Sequence, residues 1–155
     1  MSDVILAICC LAAGLCTGIK FSEKYTEKFK FYKSIYCFNE QLFDEVVFFK
    51  NGIFSLEKND YLSARFESLI SNYSKGKKIS NDLPDFLTPA QKNDIEFYFN
   101  NIGKSDVSTQ KQLCDGFRSK FDRELKIAEE EQLKYSSLCK KVGVIVGVAA
   151  FIIIF

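Results

Sequence analysis

Residues 4–19 read VILAICCLAAGLCTGI and residues 142–155 read VGVIVGVAAFIIIF, and neither stretch holds a charged side chain. All 21 lysines and arginines, and every acidic residue except Asp3, lie between residues 20 and 141. As helices, the two stretches would measure roughly 24 and 21 Å, against a hydrocarbon core of about 30 Å. Because the lysines at their inner edges can reach up to the headgroups, we predict transmembrane helices at 4–19 and 142–155, flanking a soluble domain at 20–141.

The lysines indicate how the chain is oriented. They cluster on the inner side of both apolar segments, as Lys20, Lys24, Lys28, Lys30 and Lys33 after the first and Lys134, Lys140 and Lys141 before the second. The positive-inside rule therefore places residues 20–141 in the cytoplasm and both termini across the membrane. No lysine or arginine precedes the first segment, which argues against a cleaved signal peptide.

Between the apolar ends, hydrophobic residues recur at helical spacing. A first stripe runs from Phe21 to Phe49, and Asn51-Gly52 is expected to end that helix. A second helix carries Leu62, Phe66, Leu69 and Tyr73 and stops near Gly76, and a connector without periodicity follows. The third begins with the cap Thr88-Pro89-Ala90-Gln91 and ends at Gly103, and Asp106 caps a last helix that continues into the second apolar segment. The pattern predicts an all-α fold with one helical bundle.

The first helix is apolar on more than one face. Beside its main stripe lie four further aromatic residues, Phe29, Phe31, Tyr36 and Phe43. A small bundle cannot easily cover them all, so we expect some of them to be left as a surface for a partner protein.

No motif in the chain points to chemistry. Histidine is absent, and so are a phosphate-binding glycine loop and a nucleophile elbow. The single cysteines Cys37, Cys114 and Cys139 read as small apolar residues in a reducing cytosol, and Glu129-Glu130-Glu131 as a solvated face. The net charge of residues 20–141 is 21 − 19 = +2, too weak for a nucleic-acid binder. We predict neither enzymatic activity nor a metal, cofactor, small-molecule substrate or nucleic-acid partner.

Each apolar segment contains one G-x-x-x-G motif, Gly14 with Gly18 and Gly143 with Gly147. Two small residues one turn apart let helix backbones approach closely in lipid. We therefore predict helix packing at these four glycines, either between the two segments or with a partner, which includes a homo-oligomer.

Several motifs of the C-terminal third resemble the stage III sporulation protein AB family of endospore-forming Firmicutes. Ile102-Gly103-Lys104-Ser105-Asp106 with Gln110 is similar to the family's turn, and Val142-Gly143-Val144 with Gly147 is similar to its terminal span. Ala128-Glu129-Glu130 followed by Lys134-Tyr135 is similar to its final helix, and the N-terminal third is more loosely similar.

The resemblance implies a helical bundle similar to the cytoplasmic domain of the type II secretion F component. It also implies a protein of the mother-cell (engulfing) membrane, with its soluble domain in the cytoplasm, inside the stage III A channel assembly between mother cell and forespore. The implied partners are other stage III A proteins, including the ATPase stage III A protein A. We expect a non-enzymatic membrane scaffold; the alternatives are an oligomeric pore-forming subunit and a small membrane-bound enzyme, for which no carboxylate pair can be placed in a pocket.

Overall fold

The computed structural model of the protein describes residues 2–48 and 63–154, and every element within them is helical. The elements are α1 (Ser2–Phe48), α2 (Ala64–Ser74), a 3-10 turn (Ile79–Asn81), α3 (Pro89–Asn101), α4 (Val107–Glu131), a π-turn (Gln132–Ser136) and α5 (Ser137–Ile154). The predicted all-α class is confirmed.

The chain divides into two compact units. Unit 1 combines Met1–Phe29 with Ile127–Phe155, and unit 2 comprises Lys30–Lys126. Helices α1 and α4 contribute residues to both, which is why unit 2 is shorter than the predicted soluble domain at 20–141. The domain limits predicted from the apolar segments refer to a membrane boundary and stay predictions.

Unit 2 has a core rich in aromatic rings. Four positions of the predicted α1 stripe are buried, namely Tyr32, Ile35, Phe38 and Leu42. The Phe66 ring of α2 meets Phe31 and Phe38 nearly edge-on, with ring centroids 6.0 and 5.7 Å apart. Such pairs stabilise by about 0.5–1.5 kcal/mol beyond the burial of their area.

The helix ends of unit 2 follow local signals. Ser63 caps α2, its hydroxyl accepting the Phe66 N–H at 3.1 Å, and Gly76 beyond the helix has φ +76°. Thr88 and Gln91 form the predicted capping box of α3. Gly103 follows α3 with φ +73°, a conformation that glycine adopts without steric cost.

The structure refines two expectations for unit 2. Of the four aromatic residues beside the stripe, Phe31 is fully buried and so cannot belong to a partner surface, and the Phe43 ring lies 4.6 Å from the Arg118 guanidinium. The segment after Gly76 connects α2 to α3 as predicted, and its apolar side chains Ile79, Leu83 and Leu87 are buried in unit 2. The predicted stop at Asn51-Gly52 and the start at Leu62 lie outside the described residues.

Across residues 2–48 and 63–154, no helix has the combined length and hydropathy of a membrane span. The two transmembrane helices at 4–19 and 142–155 stay predictions.

Candidate functional site

The two G-x-x-x-G motifs face each other inside unit 1. A Cβ atom added to Gly14 would lie 2.8 Å from the Gly143 carbonyl oxygen and 3.0 Å from the Gly147 Cα. One added to Gly18 would lie 2.7 Å from the Cys139 carbonyl oxygen and 3.1 Å from the Gly143 Cα. Each neighbour is backbone, so an alanine would fit only if the helices moved apart. These four glycines form what we call the glycine contact.

The pairing runs antiparallel within one chain. Gly14 contacts Gly143 and Gly147, whereas Gly18, one turn later on α1, contacts the earlier residues Cys139 and Gly143. Within this chain, the four predicted packing glycines therefore contact one another. The location of the glycine contact inside a lipid bilayer stays a prediction.

Polar and aromatic pairs continue the antiparallel contact beyond the glycines. The hydroxyls of Ser22 and Ser136 share a hydrogen bond of 2.6 Å, and the rings of Tyr25 and Tyr135 stack with centroids 5.3 Å apart. Further along, the Lys28 ammonium donates to a Glu131 carboxylate oxygen at 2.7 Å. Hydrogen bonds and ion pairs demand matched positions, so these pairs define the register of the two helices more sharply than apolar packing alone.

The π-turn keeps this contact in phase. Glu131 and Cys139 both face α1 although they are 139 − 131 = 8 residues apart. In a regular α-helix, two positions eight residues apart point in directions that differ by about 80° around the helix axis. Two positions seven residues apart differ by only about 20° and so lie on the same face. The π-turn takes up the additional residue, as such turns do where a helix must realign a face.

The family-like turn between α3 and α4 closes on itself. Gly103 N–H donates to the Gln110 side-chain oxygen at 3.1 Å, and the Gln110 amide donates to the Asn101 carbonyl at 2.9 Å and the Ser105 hydroxyl at 2.6 Å. Four residues between positions 101 and 110 therefore connect the end of α3 to the start of α4.

Asp106 caps α4 as predicted. Its carboxylate accepts the Thr109 hydroxyl at 2.6 Å and the Thr109 N–H at 3.3 Å, and it also accepts the Ser108 hydroxyl. The hydrogen bond from Ser108, followed by those from Thr109, lowers the pKa of Asp106 from 3.8 to about 2. This is the signature of a structural cap.

Sequence reasoning missed a buried polar network in unit 2. The Asn39 amide donates to the Cys114 carbonyl at 3.1 Å, and its oxygen accepts the Tyr98 hydroxyl at 2.8 Å. Burial is the main cause of the raised pKa of Tyr98, and it also raises the pKa of Cys114 to about 11. Neither side chain therefore ionises readily at neutral pH. The available signal was an asparagine inside the apolar stripe of α1.

A charged cluster lies beside this network. The Arg118 guanidinium donates to both carboxylate oxygens of Glu40, at 2.6 and 2.8 Å, and covers the Phe43 ring. Hydrogen bonding to Glu40 is the main cause of the raised pKa of Arg118. A two-point pair of this kind holds α4 against α1.

Within the described residues, no group of three histidine, cysteine or acidic side chains is arranged to hold a metal ion. The geometry of both units is that of helix packing.

A comparison with protein families matches residues 80–155 to the model of stage III sporulation protein AB. The match confirms the resemblance over these residues, which contain the turn at Gly103–Gln110 as well as Gly143 and Gly147. Gly14, Gly18 and the looser similarity of the N-terminal third lie outside it. No curated protein and no solved structure matches the chain.

Proposed function

Because the chain belongs to the stage III sporulation protein AB family through residues 80–155, we propose that it is a non-enzymatic membrane scaffold of the stage III A assembly. In this proposal unit 1 anchors the protein in the mother-cell membrane and unit 2 docks the assembly's cytoplasmic ATPase. A role in stage III of sporulation follows from the family itself, and the remaining steps are our proposal.

The glycine contact is the observation that best supports unit 1 as a membrane anchor. Lipid gives no hydrophobic driving force between helices, so helices associate there through close backbone packing at small residues. Unit 1 contains such packing between two charge-free segments, with polar pairs beginning at Ser22 and Ser136 just beyond the glycines. This order of apolar glycine contact and polar continuation suits a hairpin that leaves the hydrocarbon near Lys20.

An aromatic pair on unit 2, made of the exposed Phe97 and the half-buried Phe117, supports the docking role. Phe97 of α3 is 58% exposed and stacks against Phe117 of α4, with ring centroids 6.2 Å apart. Lys120 lies beside the pair, 5.7 Å from the Phe117 ring and 2.6 Å from Asp94. An aromatic residue ringed by polar groups is typical of the centre of a protein interface.

Co-purification tests the docking role. Full-length protein is expressed with the ATPase stage III A protein A, and the ATPase is expected to co-purify with the wild type and with the control Val107→Ser, which alters another exposed apolar residue. Phe97→Ser should weaken retention at least tenfold, since interface anchors often contribute 2 kcal/mol or more. Equal retention by all three proteins would remove Phe97 from the interface, and no retention by the wild type would contradict the docking role.

Membrane association is tested separately. The protein should remain in the membrane fraction after an alkaline carbonate wash, because the anchor is proposed to span the bilayer. Dye should stay inside vesicles that carry the purified protein alone. Leakage would favour the pore-forming subunit over the scaffold.

A further inference from the structure

Unit 1 carries an apolar groove beside the glycine contact. Its volume is about 540 Å³. Its walls are two rows of side chains at i, i+4 and i+8, which are Ala13, Thr17 and Phe21 on α1 and Leu138, Val142 and Val146 on α5. Glycines of the glycine contact form its floor. We propose that this groove binds an acyl chain of an anionic phospholipid, an inference that rests on the proposed membrane anchor.

The groove has the chemistry of an acyl-chain site. None of its lining residues is charged, and the Thr17 hydroxyl is already bonded to the Ala13 carbonyl at 2.7 Å. A polar ligand would therefore find nothing to bind, whereas an alkyl chain would cover the exposed rims, including Phe21 at 60% and Val146 at 57% exposure. Because glycine has no side chain, the floor leaves room between the rows.

Both rows continue into a lysine at the same end of the groove. Lys24 follows Phe21 by three residues on α1, and Lys134 precedes Leu138 by four, so each extends its row by about one turn. Both side chains are exposed, and the Lys134 ammonium lies 5.3 Å from the centre of the Tyr135 ring. Two ammonium groups at the mouth of an apolar groove match a phosphate headgroup above an acyl chain.

Charge also favours a lipid over a second copy of the chain. Two copies inserted in the same orientation would bring Lys24 and Lys134 to the same depth, so a paired groove would set like charges against each other. An anionic lipid presents the opposite charge at that depth. Groove and lysines together therefore indicate a phospholipid.

The test uses full-length protein in phosphatidylcholine vesicles containing spin-labelled phosphatidylglycerol or spin-labelled phosphatidylcholine. Electron spin resonance measures the fraction of label whose motion the protein restricts. We expect wild type to favour phosphatidylglycerol, with roughly a fivefold contribution from each lysine. Lys24→Gln combined with Lys134→Gln should remove the preference, and Lys104→Gln, a charge change in unit 2, should keep it.

A second variant tests the groove itself. Ala13→Phe fills the space between the rows and should reduce the restricted fraction of both lipids, whereas Ile145→Phe, outside the groove lining, should not. A wild type without preference for phosphatidylglycerol, or a preference that survives the double lysine change, would overturn the lipid site. Association of two differently tagged copies that Ala13→Phe abolishes would assign the groove to a second copy. Failure of the protein to enter vesicles at all would instead contradict the proposed anchor.

Discussion

At the scale of single residues, the glycines of this chain differ sharply in what surrounds them. A Cβ added to Gly18 would lie 2.7 Å from the Cys139 carbonyl oxygen, while one added to Gly116 of α4 would meet no atom within 4 Å beyond its own local helix backbone. Both lie inside helices, where glycine is less favourable than alanine by about 1 kcal/mol. The presence or absence of a neighbouring helix therefore decides whether a glycine-to-alanine substitution stabilises or destabilises the protein.

Gly18→Ala should destabilise the protein and Gly116→Ala should stabilise it. The first places a methyl group against backbone, at a cost of about 1–3 kcal/mol that exceeds the gain in helix propensity. The second only removes the glycine penalty and should raise the apparent Tm by about 2–4 °C. Thermal unfolding of full-length protein in one detergent, followed by circular dichroism, compares the two. A Gly18→Ala protein as stable as Gly116→Ala would contradict the glycine contact.

Asp106 should make the start of α4 sensitive to acid. Its pKa is lowered on folding from 3.8 to about 2, so the charged carboxylate is the form that stabilises the fold. This stabilisation is complete above about pH 4 and is lost as the pH falls through 2. Urea unfolding should show Asp106→Ala less stable than wild type at pH 6, with the difference shrinking towards pH 2. Asp106→Asn, which retains capping ability, serves as the control.

At the scale of elements, three helices of unit 2 meet through one buried asparagine. Asn39 of α1 contacts Tyr98 of α3 and the Cys114 carbonyl of α4, and it has no exposed surface. Hydrogen bonds in such a site contribute little net stability while complete, but an orphaned buried partner is costly.

Asn39→Leu should lower the free energy of unfolding by about 1–3 kcal/mol, because the Tyr98 hydroxyl would lose its acceptor. The double change Asn39→Leu with Tyr98→Phe should cost less than the sum of the two single changes, since no hydroxyl then remains buried without a partner. Denaturant unfolding measures all three, and Asn93→Leu on the exposed face of α3 should alter stability by less than about 0.5 kcal/mol. Additive costs would show that the two side chains do not depend on each other.

The π-turn leads to a second prediction at this scale. Deleting Leu133, which is 73% exposed, would place Glu131 and Cys139 seven positions apart and restore an ordinary α-turn without changing the face that meets α1. The apparent Tm should stay within a few degrees of wild type or rise. Deleting Ile145, which is 65% exposed, would place Gly143 and Gly147 only three positions apart and should lower the apparent Tm clearly. If both deletions lower the apparent Tm equally, the π-turn does not serve to align the helix face that meets α1.

At the scale of the whole molecule, the lysine distribution predicts that both termini lie outside the mother-cell cytoplasm. Cysteine labelling can test this in a background whose six native cysteines are replaced by alanine. Ser2→Cys, or a cysteine added after Phe155, should react with an impermeant maleimide applied from outside. Ser71→Cys is a suitable cytoplasmic reporter because Ser71 is exposed, unlike the buried Cys114, and it should react only after permeabilisation. Labelling of Ser71→Cys in intact cells would overturn the topology.

The sequence by itself determined what depends on neighbours within about one helical turn. The all-α class, the caps at Thr88 and Asp106, the stops at Gly76 and Gly103 and the buried stripe from Tyr32 to Leu42 all follow from local spacing, and the structure agrees with them. The four packing glycines could likewise be named in advance, because two small residues one turn apart are a local pattern.

Only the tertiary structure decided which faces meet. Gly14 and Gly143 are 143 − 14 = 129 residues apart, and nothing in either motif states that its partner belongs to the same chain. The burial of Phe31, the network around Asn39 and the π-turn depend in the same way on the helix opposite. Periodicity shows that a helix has an apolar face, but the partner of that face is selected by steric fit and hydrogen bonding between residues far apart in the chain.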